Sequence, residues 1–122
     1  MAVMQSRDNR TYVAGSNLSA AQFKFVALAA DGEVDVAGAG ARAIGVLLNQ
    51  PAAGNAATVV MTGKVLVEAG ASITAGDELA ADAAGNAVTA TTDDIVMGYA
   101  LENGVDGQIV AIELIQGGNA AA

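Results

Sequence analysis

The 122-residue sequence contains no cysteine, no histidine and no tryptophan. The first two absences exclude disulfide bonds, thiolate nucleophiles, imidazole acid–base chemistry and the usual ligand sets of zinc sites. Two tyrosines and two phenylalanines offer few platforms for sugar rings, which disfavours a carbohydrate-binding module. No apolar run approaches the roughly 20 residues of a membrane-spanning helix, and no secretory signal is recognisable, so we expect no membrane partner.

Aromatic side chains are scarce, whereas alanine and glycine together account for 44 residues, 29 and 15 respectively. Alanine contributes far less than the about 1.5–3 kcal/mol of a fully buried large apolar side chain. A single domain of this length and composition therefore has a thin core. We expect association with further copies of the chain, or with a larger partner, to supply part of its stability.

Charge is distributed unevenly along the chain, whose net charge is −8. Residues 1–24 carry three basic side chains and one acidic side chain, a balance of +2, which leaves −10 on residues 25–122. An acidic body repels nucleic acid, because nucleic-acid binding depends on basic side chains that neutralise phosphates. The sequence therefore predicts no nucleic-acid partner and is compatible with an N-terminal segment that binds an acidic protein surface.

Short β-rich runs alternate with turn dipeptides such as Asp31-Gly32 and Asn103-Gly104, which favour tight hairpins. Strands at this spacing predict an all-β fold, a small β-sandwich or barrel. The predicted strands are Phe23–Leu28, Glu33–Val36, Ala43–Leu48, Thr58–Thr62, Lys64–Glu68, Ala87–Thr91, Ile95–Leu101 and Ile109–Ile115.

The two halves of the chain resemble each other at an offset of 53 residues, which brings three glycines into register. The matched pairs are Gly32 with Gly85, Gly45 with Gly98, and Gly54 with Gly107. Gly45 and Gly98 each interrupt an apolar run, which predicts matching bends or close backbone approaches. We predict one β domain over residues 17–116, built from similar units at about 18–62 and 71–115. An N-terminal arm precedes it (1–16), and a flexible tail follows it (117–122).

Acidic residues are the main candidates for chemistry, and the closest pairs are Asp77-Glu78 and Asp93-Asp94. Neighbouring residues in a strand point to opposite faces, so neither pair converges on a substrate. The remaining group alternates along one predicted strand and consists of Asp31, Glu33 and Asp35. It lacks the spacing of a full calcium loop, so a solvated strand face is the better interpretation. We predict no catalytic residues, no metal site, no cofactor and no enzymatic activity.

The chain resembles small tailed-bacteriophage capsid decoration (cement) proteins over roughly residues 17–115. The matching segments are Ala43-Ile44-Gly45-Val46, Ile73-Thr74-Ala75-Gly76-Asp77-Glu78-Leu79, Asp82-Ala83-Ala84-Gly85-Asn86-Ala87-Val88, Met97-Gly98-Tyr99-Ala100 and Gly107-Gln108-Ile109-Val110-Ala111-Ile112-Glu113-Leu114. The resemblance implies a β-rich fold, a homotrimer, and binding to the major capsid protein on the outside of the shell. It also implies synthesis in the host cytoplasm and a final location on the virion exterior. The alternatives are a tail or baseplate β module and a carbohydrate-binding adhesive module.

The N-terminal arm contains residue types that protein interfaces favour, since a guanidinium can bind carboxylates and a phenol ring offers apolar area with a polar tip. We expect the arm to be loose in the free protein and to bind the capsid or a neighbouring copy. The candidate binding residues are Arg7, Asn9, Arg10, Tyr12 and Val13. The alternative is a solvated tail with no role in binding.

Overall fold

The structure is a computed structural model that describes residues 5–115. All regular secondary structure in this range is β-strand, and no helix occurs in it. The strands are β1 (Gln5–Ala14), β2 (Phe25–Ala30), β3 (Glu33–Val36), β4 (Gly45–Leu47), β5 (Ala56–Glu68), β6 (Glu78–Ala81), β7 (Ala87–Thr89), β8 (Gly98–Ala100) and β9 (Ile109–Leu114). The predicted all-β fold is confirmed.

The first five strands close into a small barrel. β1 pairs with β5, β5 with β4, β4 with β2 and β2 with β3, all antiparallel. β3 then returns to β1 through a short parallel pairing, in which Val13 lies opposite Glu33 and Ala14 opposite Val34. The ring of backbone pairings is therefore complete.

A second barrel of the same design follows. The C-terminal part of β5 pairs with β9, and β8, β6 and β7 continue the sheet, again antiparallel. A parallel bridge between Ala69, directly after β5, and Ala87 in β7 closes it. This bridge occupies the position that the parallel pairing of Ala14 with Val34 has in the first barrel.

β5 belongs to both barrels. It runs for 13 residues, and Gly63, with φ of 110°, lies next to its centre. Because a φ in this range is unfavourable for other residues, glycine allows one strand to continue through this position. The sequence predicts two strands here, separated at this glycine, and the structure joins them into one.

Matching hydrogen bonds relate the two barrels. Equivalent residues lie 53 positions apart, except at the start of each unit (residues 14–18 and 69–73), where they lie 55 positions apart. The N–H of Ala14 donates to the carbonyl of Asn55 at 2.9 Å, and the N–H of Ala69 donates to that of Gln108 at 2.8 Å. Further matched donors are Gly15 with Gly70, Leu18 with Ile73, Ile44 with Met97, Leu47 with Ala100, and Gly54 with Gly107. The second barrel therefore repeats the backbone of the first.

Gly45 and Gly98 lie at equivalent places in this repeat, where two strands approach closely. A Cβ atom on Gly45 would collide with the carbonyl oxygen of Val60, and one on Gly98 with the carbonyl oxygen of Glu113. Val60 and Glu113 are themselves 53 residues apart. Neither glycine has a positive φ, so the requirement for glycine is steric.

Two apolar clusters fill the molecule. The interior of the first barrel contains Ala14, Leu18, Ala21, Val26, Val34, Leu47, Ala57 and Val59. The other cluster fills the second barrel and continues onto the outside of the first, where Phe25, Val46 and Val60 are completely buried. The second barrel therefore packs against the first, and this second cluster extends across the contact between the two barrels.

Polar contacts secure this junction of the barrels around Lys24. Its Nζ donates to Oδ1 of Asn86 at 2.6 Å and lies 3.8 Å from Oε1 of Glu68. Alongside, the N–H of Phe25 donates to the carbonyl oxygen of Gly85 at 2.8 Å. The turn between β6 and β7 is thus seated on the first barrel by backbone and side-chain bonds together.

The structure places residues 5–14 in β1, which differs from the expected loose arm over residues 1–16. β1 pairs with β5 from Gln5 to Val13 and completes the first barrel. The sequence does not indicate this strand, because its side chains from Asn9 to Val13 are not buried. Backbone pairing, rather than side-chain burial, joins β1 to β5 along most of its length. The expected tail over residues 117–122 lies outside the described residues.

Candidate functional site

Each of the two acidic pairs singled out in the sequence contributes one residue that caps a turn. Asp77 accepts hydrogen bonds from the N–H of Thr74 at 2.9 Å and the hydroxyl of Thr89 at 3.1 Å. Asp94 accepts the N–H of Thr91 at 2.9 Å and its hydroxyl at 3.0 Å. Carboxylates used in this way fix local backbone and do not converge on a common point.

Other features of an enzyme or metal site do not occur in residues 5–115. This part of the chain has no pocket and no group of three or more side chains placed to hold a metal ion. It also has no helix with the length and apolar character needed to cross a membrane. The features that stand out are two exposed surfaces.

The first surface is β1, which carries the predicted binding residues. From Asn9 to Val13 the pairing with β5 is regular, so side chains alternate between two faces. Asn9 and Val13 point outward, and Val13 is 42% exposed. Arg10 and Tyr12 lie on the barrel side, where Tyr12 packs against the first-barrel cluster and Arg10 is exposed.

The predicted set of binding residues is therefore divided by the structure. Asn9 and Val13 share one face of β1, whereas Arg10 and Tyr12 share the other. The side chain of Arg7 lies outside the part of the chain that the structure describes. The binding role of these residues stays a prediction.

The second surface lies on the outside of the second barrel, and sequence reasoning missed it. Tyr99 in β8 lies opposite Glu78 in β6 on one side and Glu113 in β9 on the other. Tyr99 is 43% exposed, and Leu101, two residues further on, is 39% exposed. We call these four residues the β8 face.

Repeat symmetry shows what distinguishes the β8 face. In the first barrel the row Phe25–Val46–Val60 occupies the places of Glu78, Tyr99 and Glu113. That row is fully buried, because the second barrel covers it. The 53-residue offset aligns Glu78, Tyr99 and Glu113 with this row, but the exposure of the face follows only from the way the two barrels pack.

Comparison with known proteins gives two matches. The family model described as phage cement protein matches residues 4–114. Among solved structures, the crystal structure of the head fiber gp8.5 N base in bacteriophage phi29 is similar to this chain, with a TM-score of 0.72 and 25% sequence identity. That similarity covers 93% of this chain and 98% of the phi29 chain. A comparison with curated proteins finds no match.

The double barrel and its exposed faces, together with these matches, define a structural protein of the phage head. The family match extends over both barrels, from residue 4 to residue 114. The chain belongs to the phage cement protein family, and its function is capsid decoration. The predicted resemblance to capsid decoration proteins is confirmed.

Proposed function

We propose that the chain binds the outer surface of an assembled phage head and stabilises contacts between neighbouring major capsid protein subunits. The observation that carries this proposal is the family match, because it includes both barrels rather than one motif. Surface contact is also the activity that suits a molecule whose described part has exposed apolar faces and no pocket. The chain reaches the virion exterior after synthesis in the host cytoplasm.

The assembled form that we propose is a homotrimer. The buried core of the described residues contains a single aromatic side chain, Phe25, and many alanines, so self-association adds stability that the core does not supply. A trimer that engages several capsid sites at once gains avidity without tight binding at each site. Sedimentation equilibrium at micromolar concentration tests this, and a stable folded monomer contradicts it.

β1 is the proposed contact with the capsid or with a neighbouring copy. Asn9 and Val13 face outward, while Arg7 and Arg10 supply positive charge in an otherwise acidic chain. Guanidinium groups bind carboxylates in a forked geometry, which suits an acidic protein surface. Tyr12 supports the strand from the barrel side, where it packs against the first-barrel cluster.

Co-sedimentation with undecorated heads of the phage that encodes the chain tests capsid binding. We expect saturable binding by the wild-type chain and heads that withstand heating better once decorated. Arg10→Ala is expected to weaken binding a few-fold, mostly at low salt, because exposed charges are screened. Arg42→Ala, which removes the same charge from another exposed position, is the matched control. Failure of the wild-type chain to sediment with heads contradicts the proposed function.

A further inference from the structure

We infer that the β8 face is a docking surface for a basic protein segment that presents an apolar side chain, supplied by the head surface. This inference rests on the proposed function and names the chemistry of the contact. Its central residues are Tyr99 and Leu101, and its rim carries Glu78 and Glu113. Because of the repeat, the molecule already contains one occupied version of this surface.

The occupied version is the outer side of the first barrel. There the turn between β6 and β7 sits on the row that contains Phe25 and Val46, and the carbonyl oxygen of Gly85 accepts the N–H of Phe25. Gly85 is buried, and a Cβ atom on it would lie 2.7 Å from Cγ1 of Val36. This backbone geometry therefore accepts a turn from a neighbouring unit when suitable side chains line it.

The same geometry is uncovered in the second barrel. Val46 is fully buried, whereas Tyr99 at the equivalent position is 43% exposed. Tyrosine is enriched at the centres of protein interfaces, because its ring offers apolar area and its hydroxyl a polar contact. Leu101 follows β8 directly and corresponds to Leu48 of the first barrel, which packs against the same cluster as Val46.

Charge identifies the occupant. The position of Lys24, which holds the docked turn in the first barrel, is taken by Asp77 in the second. Glu78 and Glu113 lie on either side of Tyr99, at the positions that Phe25 and Val60 have in the first barrel. The polarity of the contact is therefore reversed, so a segment docked on the β8 face must carry positive charge.

A second copy of the chain does not offer this charge at the equivalent turn. The turn between β2 and β3 corresponds to the turn that docks inside the molecule, and it is exposed. It carries Asp31 and is followed directly by Glu33 at the start of β3, so docking it on the β8 face would bring like charges together. The acidic rim likewise repels nucleic acid. A basic segment of the capsid protein satisfies both the apolar centre and the acidic rim.

Binding to undecorated heads by four variants tests the inference. Tyr99→Ser and Leu101→Ser are each expected to lower the affinity of the full chain for heads by about tenfold, in the range of central interface residues. Leu28→Ser is the matched control, because Leu28 is 57% exposed on the first barrel, and we expect unchanged binding. Glu78→Gln with Glu113→Gln should weaken binding at low salt and flatten its dependence on salt.

The outcomes separate this inference from the proposed function. If wild-type chain does not sediment with heads, both are wrong. If wild-type chain binds and the Tyr99 and Leu101 variants bind equally well, only the β8 face is wrong. A change of oligomeric state in these variants would show that the face contacts another copy, which also overturns the inference. Circular dichroism and urea unfolding of each variant establish that a loss of binding does not come from unfolding.

Discussion

Replacement of Gly45 by alanine tests the close strand approach on which the repeat is built. The added Cβ would collide with the carbonyl oxygen of Val60, lie 3.0 Å from its carbonyl carbon and 2.8 Å from Cγ1 of Val59. Backbone atoms of a paired strand cannot rotate away as a side chain can. The methyl group must therefore push β4 from β5, to which only two residue pairs join it.

The expected loss is about 2 kcal/mol in the free energy of unfolding. Overpacking of this kind costs roughly 1–3 kcal/mol, and the backbone obstruction places Gly45→Ala at the upper end. Loss of glycine flexibility in the unfolded chain returns about 0.4–1 kcal/mol. At about 4 °C per kcal/mol for a chain of this size, Tm should fall by roughly 8 °C.

Two further glycines provide the comparison. Gly98→Ala should cost a similar amount, because its Cβ would meet the carbonyl oxygen of Glu113 in the same geometry. Gly38→Ala should cost nothing, since the nearest atom, Cβ of Ala41, is 4.0 Å away and the φ of Gly38 is not positive. Urea unfolding followed by circular dichroism measures all three. The reasoning is refuted if Gly45→Ala and Gly38→Ala unfold within 0.5 kcal/mol (about the error of such comparisons) of each other.

Two other predictions follow from the barrels. Gly85→Ala should cost more than Gly32→Ala in urea unfolding, because both have positive φ but only Gly85 meets other atoms, with a Cβ 2.9 Å from the carbonyl oxygen of Phe25; equal losses would show that the docked turn adjusts freely. Deletion of residues 2–13 should lower stability by several kcal/mol and broaden unfolding, because it removes the strand that completes the first barrel; an unchanged urea midpoint would show that β1 is dispensable.

The repeat was the most productive signal in the sequence. It predicted equivalent environments for Gly45 and Gly98, because a glycine inside an apolar run leaves few alternatives to a close approach. Applied more fully, it would also have located β6, which no predicted strand included. β6 is Glu-Leu-Ala-Ala, and alanine gives little strand signal, but it lies 53 residues after the start of β2.

β1 was harder to predict for a physical reason. Of its residues from Asn9 onward only Ala14 is buried, so the alternation that marks a half-buried strand is missing. Its partner, β5, lies more than 40 residues away in the sequence for every pair in the regular stretch. The match of Ala14-Gly15 with Ala69-Gly70 at the offset of 55 was the available signal for a strand ending at Ala14.

The β8 face could not be read from composition or motifs. Tyr99 lies in a run whose sequence is typical of a core strand. Its exposure depends on whether the other barrel covers the outer side of β8. Sequence periodicity specifies the two sides of a strand, but not whether the outer side meets another unit or solvent. That distinction exists only after the two barrels are packed together.

β5 has a mechanical consequence. An extended strand of 13 residues is roughly 43 Å long, and here one covalent segment passes through both barrels with antiparallel neighbours on its flanks. A force directed along it strains many hydrogen bonds sideways at the same time, which resists rupture better than opening them one after another. Tension applied between the two barrels would therefore be carried along the peptide chain itself, and the junction between the barrels would not act as a hinge.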